Sequence, residues 1–124
     1  FHNIKTIVIG DDPFSGLEAL NALLRNEVVA MLVDRAGPEG VSVPFFGQAA
    51  RFPAGPLMLA AATGAPIMPA FVVRESYGYR AVAEDLIYYD RARDTDEKVA
   101  ASVISVFERY IRQYADQWYN FVPV

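Results

Sequence analysis

Three stretches of this sequence pair charge with a backbone setting that attracts ligands. Arg51-Phe52-Pro53-Ala54-Gly55 leads into an apolar run at 57–63 that reads as a helix. The free N–H groups of a first helical turn favour an anion, and Arg51 just outside that turn adds a cation suited to phosphate. Taken alone, an arginine there is more often a solvated surface residue, so both readings stand. Asp34-Arg35 closes the apolar run at 28–33. In an open α/β sheet the carboxyl ends of strands face the ligand crevice, yet an adjacent acid and base also serve as a local ion pair ending a strand. Val8-Ile9-Gly10-Asp11-Asp12 ahead of a helix has the outline of a nucleotide-binding turn. It lacks the three spaced glycines, and its two carboxylates would repel a pyrophosphate, so a helix-initiating turn is the simpler reading.

No complete catalytic set is visible. The single histidine, His2, stands outside any nucleophile–base motif. Glu84 and Asp85 are neighbours, which in a strand sends them to opposite faces and makes them a poor acid–base pair. With no cysteine and one histidine, neither a disulfide frame nor a thiolate or histidine metal cluster is available, and no cofactor is expected. The net charge of −4 argues against nucleic acid, which requires a basic patch. That charge is uneven. Between Gly40 and Ala83 the only acid is Glu75, against Arg51, Arg74 and Arg80, so the middle of the chain can face an anion.

The elements that must position these residues follow from the pattern of apolar positions. Residues 4–9 form a short β-branched run closed by Gly10, and 28–33 a second one; both predict buried strands. Between them Ser15 and Glu18 have capping-box spacing, with Leu17, Leu20, Leu23 and Leu24 on one helical face and a stop near Arg25-Asn26. Strand, helix, strand is a βαβ unit with parallel strands. Residues 34–51 carry Gly37, Pro38, Gly40 and Pro44 without sustained periodicity and read as a long, functional loop. Gly55 and Pro56 suit the N-cap and first position of a helix ending at Gly64.

Residues 54–73 lack any charge, but Gly64, Pro66 and Pro69 interrupt them, so they read as buried helix, turn and strand rather than a membrane span. A strand at 67–73 interrupted by Pro69, with 79–82 pairing beside it, comes next. A long helix opens at Asp94 with Glu97 in capping-box spacing and lines up Val99, Val103, Phe107, Tyr110, Ile111 and Tyr114. The aromatic ending from Gln117 onward is expected to tuck against the body.

The order of motifs across the chain resembles the lysophospholipid acyltransferase-like superfamily, and within it the lipid A biosynthesis acyltransferases. The resemblance rests on Val43-Pro44-Phe45-Phe46-Gly47, Gly55-Pro56, Met58-Leu59-Ala60, Thr63-Gly64-Ala65-Pro66-Ile67-Met68-Pro69 and Gly78-Tyr79. The strand ending in Asp34 and the terminal Gln117-Trp118 also match. It implies transfer of a fatty acyl group from an acyl-carrier-protein or coenzyme A thioester to a hydroxyl of a glycolipid, at the cytoplasmic face of the bacterial inner membrane. Family catalysis uses a His with an Asp five positions later, the His as general base. Here the residue five positions after His2 is Ile7, so the pair and a membrane anchor are expected upstream of Phe1. The chain reads Tyr119-Asn120-Phe121-Val122-Pro123-Val124 where many lipid A enzymes end in a basic stretch.

The expected fold is therefore α/β, a mixed, mostly parallel sheet flanked by helices. It is expected to form the C-terminal portion of one glycerolipid-acyltransferase-like domain over residues 1–124, inactive alone. The resemblance, with the charge pattern above, nominates Asp34, Arg35, Phe46, Arg51 and Gly55 as lining the acceptor or thioester site. A hydrophobic content of 53% in so short a chain suggests uncovered apolar surface and self-association. The rival reading is a non-catalytic α/β module binding a nucleotide or a protein partner through the Gly10 turn.

Overall fold

A computed structural model describes residues 3–8, 10, 14–34 and 39–118. The chain divides into two units, Phe1–Met31 and Leu32–Val124. In the first, helix α1 spans Leu17–Leu24 and buries Ala19 and Ala22. Its N-cap is Gly16, not Ser15. The Ser15 hydroxyl instead donates to the Gly10 carbonyl at 3.1 Å, and Glu18 pairs with Lys5, so the expected capping box does not form. The end matches expectation. Asn26 takes φ 61°, while its N–H bonds Leu23 and that of Glu27 bonds Ala22, which is a Schellman closure.

Among the described residues of its unit, helix α1 is accompanied by no strand. The described parts of the runs at 4–9 and 28–33 are not strands, and Ile4, Val8, Val28 and Leu32 are exposed. β-branched residues favour extended backbone, but a strand exists only where a neighbour pairs its N–H and C=O groups. The βαβ expectation is thus corrected.

The second unit is two β-hairpins and two helices. Strands β1 (Val41–Phe45) and β2 (Gln48–Phe52) pair antiparallel across a two-residue loop. In that loop Phe46 and Gly47 have φ 49° and 78°, the positive pair of a type I′ turn. Val43 and Phe45 alternate inward with Ala50 and Phe52, while Ser42, Pro44, Ala49 and Arg51 face out. The long loop expected at 34–51 is therefore half hairpin. Pro44, which suggested a break, sits opposite Ala49 at a position where no ladder N–H is needed.

Helix α2 (Ala54–Thr63) begins after Pro53, earlier than the Gly55-Pro56 start expected, and ends as expected at Gly64, whose φ of 73° suits glycine. Strands β3 (Ala70–Glu75) and β4 (Gly78–Ala83) form the second antiparallel hairpin, and Ile67 bridges Ile87 below it. Helix α3 (Asp96–Gln113) starts from Thr95, whose side chain accepts from the Lys98 N–H, one residue later than expected; Asp94 is instead the ion-pair partner of Lys98.

Neither sheet contains a parallel pair. The expected mostly parallel sheet flanked by helices gives way to two separate two-stranded antiparallel sheets. Connections of two residues, at 46–47 and 76–77, permit only antiparallel neighbours, whereas a parallel pair needs a crossover of a dozen residues or more. Helix α3 is the common support. Val99, Ala100 and Val103 close on Val43, Phe52 and Leu57, the last fully buried. Burying side chains of that size contributes about 1.5–3 kcal/mol each.

Candidate functional site

The nominated residues sort to the two ends of the β1–β2 hairpin. At the open end, Arg51 lies on the outward row of β2 opposite Ser42, and its guanidinium donates to the Gly40 carbonyl at 3.1 Å. Two residues later the chain enters α2, whose first turn holds no acid and whose N-cap, Pro53, supplies no side-chain acceptor. The N–H groups of Ala54 and Gly55 therefore head the helix, and Pro56 adds none. Gly55 is half-buried in the second helical position. Asp34 is exposed, and Arg35 lies outside the described residues.

Phe46 is at the other end. From Gln48 to Arg51 alone β2 advances roughly 10 Å at ~3.4 Å per residue, so Phe46 and Arg51 do not share one contact shell. Phe46 has its own company. Its N–H donates to the Glu108 carboxylate of α3 at 2.7 Å, the Arg112 guanidinium stands 5.1 Å over its ring, and the Phe45 ring meets it edge-on. An aromatic side chain in the left-handed region costs roughly 1–2 kcal/mol, and these contacts hold it there.

The motif Gln117-Trp118 joins both hairpins. Gln117, in the 3₁₀ turn after α3, accepts from the Arg74 N–H at 2.7 Å and donates to the Arg74 carbonyl at 3.1 Å. A carboxamide thereby completes the outer edge of β3 as a neighbouring strand would. Trp118 meets the Phe45 ring edge-on at 5.9 Å, so the aromatic ending is tucked as expected up to this residue; 119–124 lie outside the described residues.

A further polar cluster seats β3–β4 on α3. Phe71 stacks on Tyr110 at 3.9 Å, and the Tyr110 hydroxyl donates to Glu84, which also pairs with Arg109. The tyrosine's hydrogen bond and then Arg109 hold the Glu84 carboxyl below its usual range against partial burial; the same bond pushes the Tyr110 phenol up. Arg80 is taken by Glu75 and the Tyr114 hydroxyl. Glu84 and Asp85 are thus not a catalytic pair: one is an anchor for α3. The sequence reading missed Glu108 and Arg112 altogether. Their i,i+4 spacing on the long helix was the available signal.

The bacterial lipid A biosynthesis acyltransferase family matches residues 13–123. The chain belongs to that family. The match spans both hairpins, α3 and the Gln117-Trp118 motif, and it assigns the protein to enzymes that join an acyl donor to a lipid acceptor. No curated protein matches the chain.

Proposed function

We propose that this chain is part of an acyltransferase that moves a fatty acyl group from an acyl-carrier-protein or acyl-CoA thioester to a hydroxyl of a glycolipid such as a lipid A precursor. The reaction is placed at the cytoplasmic face of the bacterial inner membrane. The family match over residues 13–123 carries the reading. Attack of a hydroxyl on a thioester needs a base to accept the hydroxyl proton. The only histidine in these 124 residues is His2, with Ile7 five positions on, and in this reading the family's His–Asp base is not supplied by them. Within this reading Arg51 and the first turn of α2 hold a phosphate of the acceptor or of the thioester carrier, and Phe46 flanks the substrate from the hairpin tip.

Two measurements test it. The 124-residue chain, incubated with acyl thioester and glycolipid, gives no turnover; turnover like that of an enzyme holding the His–Asp pair overturns the assignment of the base. In the active enzyme Arg51→Ala lowers kcat/KM about ten-fold or more, the scale of one charge-assisted hydrogen bond at ~1.5–3 kcal/mol, and Arg51→Lys restores part. A well-folded Arg51→Ala enzyme with unchanged kcat/KM removes the arginine from the substrate site.

A further inference from the structure

In a two-residue hairpin loop the ladder ends on the flanking pair, here Phe45 and Gln48, and the N–H of the first loop residue has no strand partner. Glu108 takes that N–H. Its carboxylate, half-buried on α3 and 62 positions along the chain, accepts from Phe46 at 2.7 Å, the length of a charge-assisted bond. Arg112, one helical turn further on, stands 5.1 Å over the Phe46 ring. A glutamate four positions before an arginine is the favourable order for an ion pair along a helix, yet these two form none with each other. One side chain goes to the backbone of the loop and the other to its ring.

Stability alone does not call for a phenylalanine at this position. A bulky side chain at φ 49° is strained, and asparagine or glycine would make the same turn without that cost. Phe46 is no part of the buried cluster around Val43, Phe52 and Leu57, and 40% of its surface stays exposed beside Arg112 and the edge of Phe45. Strained positions persist where their neighbours over-determine them, and they gather at ligand contacts. An exposed aromatic ring that is fixed before anything binds offers a flat apolar surface with little left to order at the moment of contact.

We infer that Glu108 is a positioning residue of the transfer reaction. By fixing the Phe46 amide it sets the ring against a methylene chain of the substrates, either the acyl group of the thioester or a chain of the acceptor lipid. Arg112 braces the ring through its π face. This rests on the reading that Phe46 flanks the substrate, and it goes further in giving a part in turnover to a glutamate that touches no substrate.

In the active enzyme Glu108→Ala lowers kcat/KM about ten-fold, the scale of one hydrogen bond to a charged group, and does so mainly through KM. Glu108→Gln, whose carboxamide oxygen still accepts the Phe46 N–H, recovers most of that loss. Phe46→Asn keeps the turn, removes the ring and lowers kcat/KM at least as far. Adding Glu108→Ala to Phe46→Asn then changes kcat/KM no further, since the glutamate acts through a ring already gone. A rise in KM for the thioester alone places the donor chain on the ring; a rise for the glycolipid alone places the acceptor there. The positioning role is overturned by Glu108→Ala with the parent's kinetics, by Glu108→Gln no better than Glu108→Ala, or by losses that add in the double variant. Where Phe46→Asn lowers kcat/KM and Glu108→Ala does not, that role alone falls. Where Phe46→Asn leaves the kinetics unchanged, the reading beneath it falls too, and a melting temperature lowered in the same variant assigns the ring to packing on the rest of the enzyme.

Discussion

Replacing Gln117 by alanine tests whether the Gln-Trp motif is a structural clasp. The carboxamide makes two hydrogen bonds, to the N–H and to the C=O of Arg74. A typical intramolecular hydrogen bond is worth ~0.5–1.5 kcal/mol net, and both Arg74 groups lie at a sheet edge that water can reach once the side chain is gone. The loss is therefore set near the lower half of the two-bond range, about 1–2 kcal/mol. For a domain of this size that lowers Tm by about 4–8 °C per kcal/mol. Urea unfolding gives the same quantity through its midpoint.

Amide exchange gives the sharper result. The Arg74 N–H points away from β4 to Gln117, whereas adjacent N–H groups along an antiparallel edge strand alternate toward the partner. In Gln117→Ala the Arg74 amide exchanges fast while Val73, opposite Arg80, keeps its protection. Gln117→Glu retains an acceptor for the N–H but sets a carboxylate against the carbonyl, and so falls below the parent as well. Gln117→Ala with unchanged Tm and unchanged Arg74 exchange would refute the clasp.

Leu57→Ala, at the only side chain of α2 with no exposed area among its apolar residues on the core, costs ~2–5 kcal/mol in urea unfolding, whereas Met58→Ala, 66% exposed, costs little. The depressed Glu84 carboxyl adds stability that is complete above its ordinary value of 4.5 and is lost as pH falls through its lower folded value. The raised Tyr110 phenol adds stability present below 10.0 and lost as pH rises through its higher folded value. Tyr110→Phe consequently flattens the stability profile at both extremes, read by urea midpoints across pH. Phe46→Asn keeps the positive-φ turn and removes the ring; with Tm held or raised, a drop in kcat/KM of the active enzyme assigns the ring to substrate, and unchanged kinetics assign it to packing alone.

What the sequence made legible was local. Asn26 and Gly64 end their helices as their conformational freedom foretells, and the period of Val99, Val103, Phe107 and Tyr110 marks the face of α3 that meets the hairpins. Strand pairing was not local. Val28 to Val33 has the composition of a buried strand, yet composition says nothing about which backbone will pair with it. The hairpin over 41–52 is hidden in the sequence because Pro44 and the glycines read as breakers, while Phe46-Gly47 lacks the Asn or Asp that usually announces a type I′ turn. Among the site residues, Arg51 and Gly55 are near each other in sequence, one on β2 and one in the first turn of α2. Phe46 belongs with Glu108, 62 positions away, and with Arg112, one helical turn further on, and only the packing of α3 reveals that.

The same packing ties together the length of chain that the family match covers. Each hairpin is marginal alone, since two strands rarely hold together in water without something to cover one face. Helix α3 covers both, through Val99 and Val103 on one and Phe107 and Tyr110 on the other. Gln117 and Trp118 then fasten the end of that helix to Arg74 and Phe45, one residue from each hairpin. The placement of β3 at Arg74 and of Phe46 at its tip thus depends on one helix and two residues after it. Gln117 holds Arg74 through its backbone alone, so a substitution at Gln117 loosens the edge of β3 while leaving the Arg74 side chain unaltered.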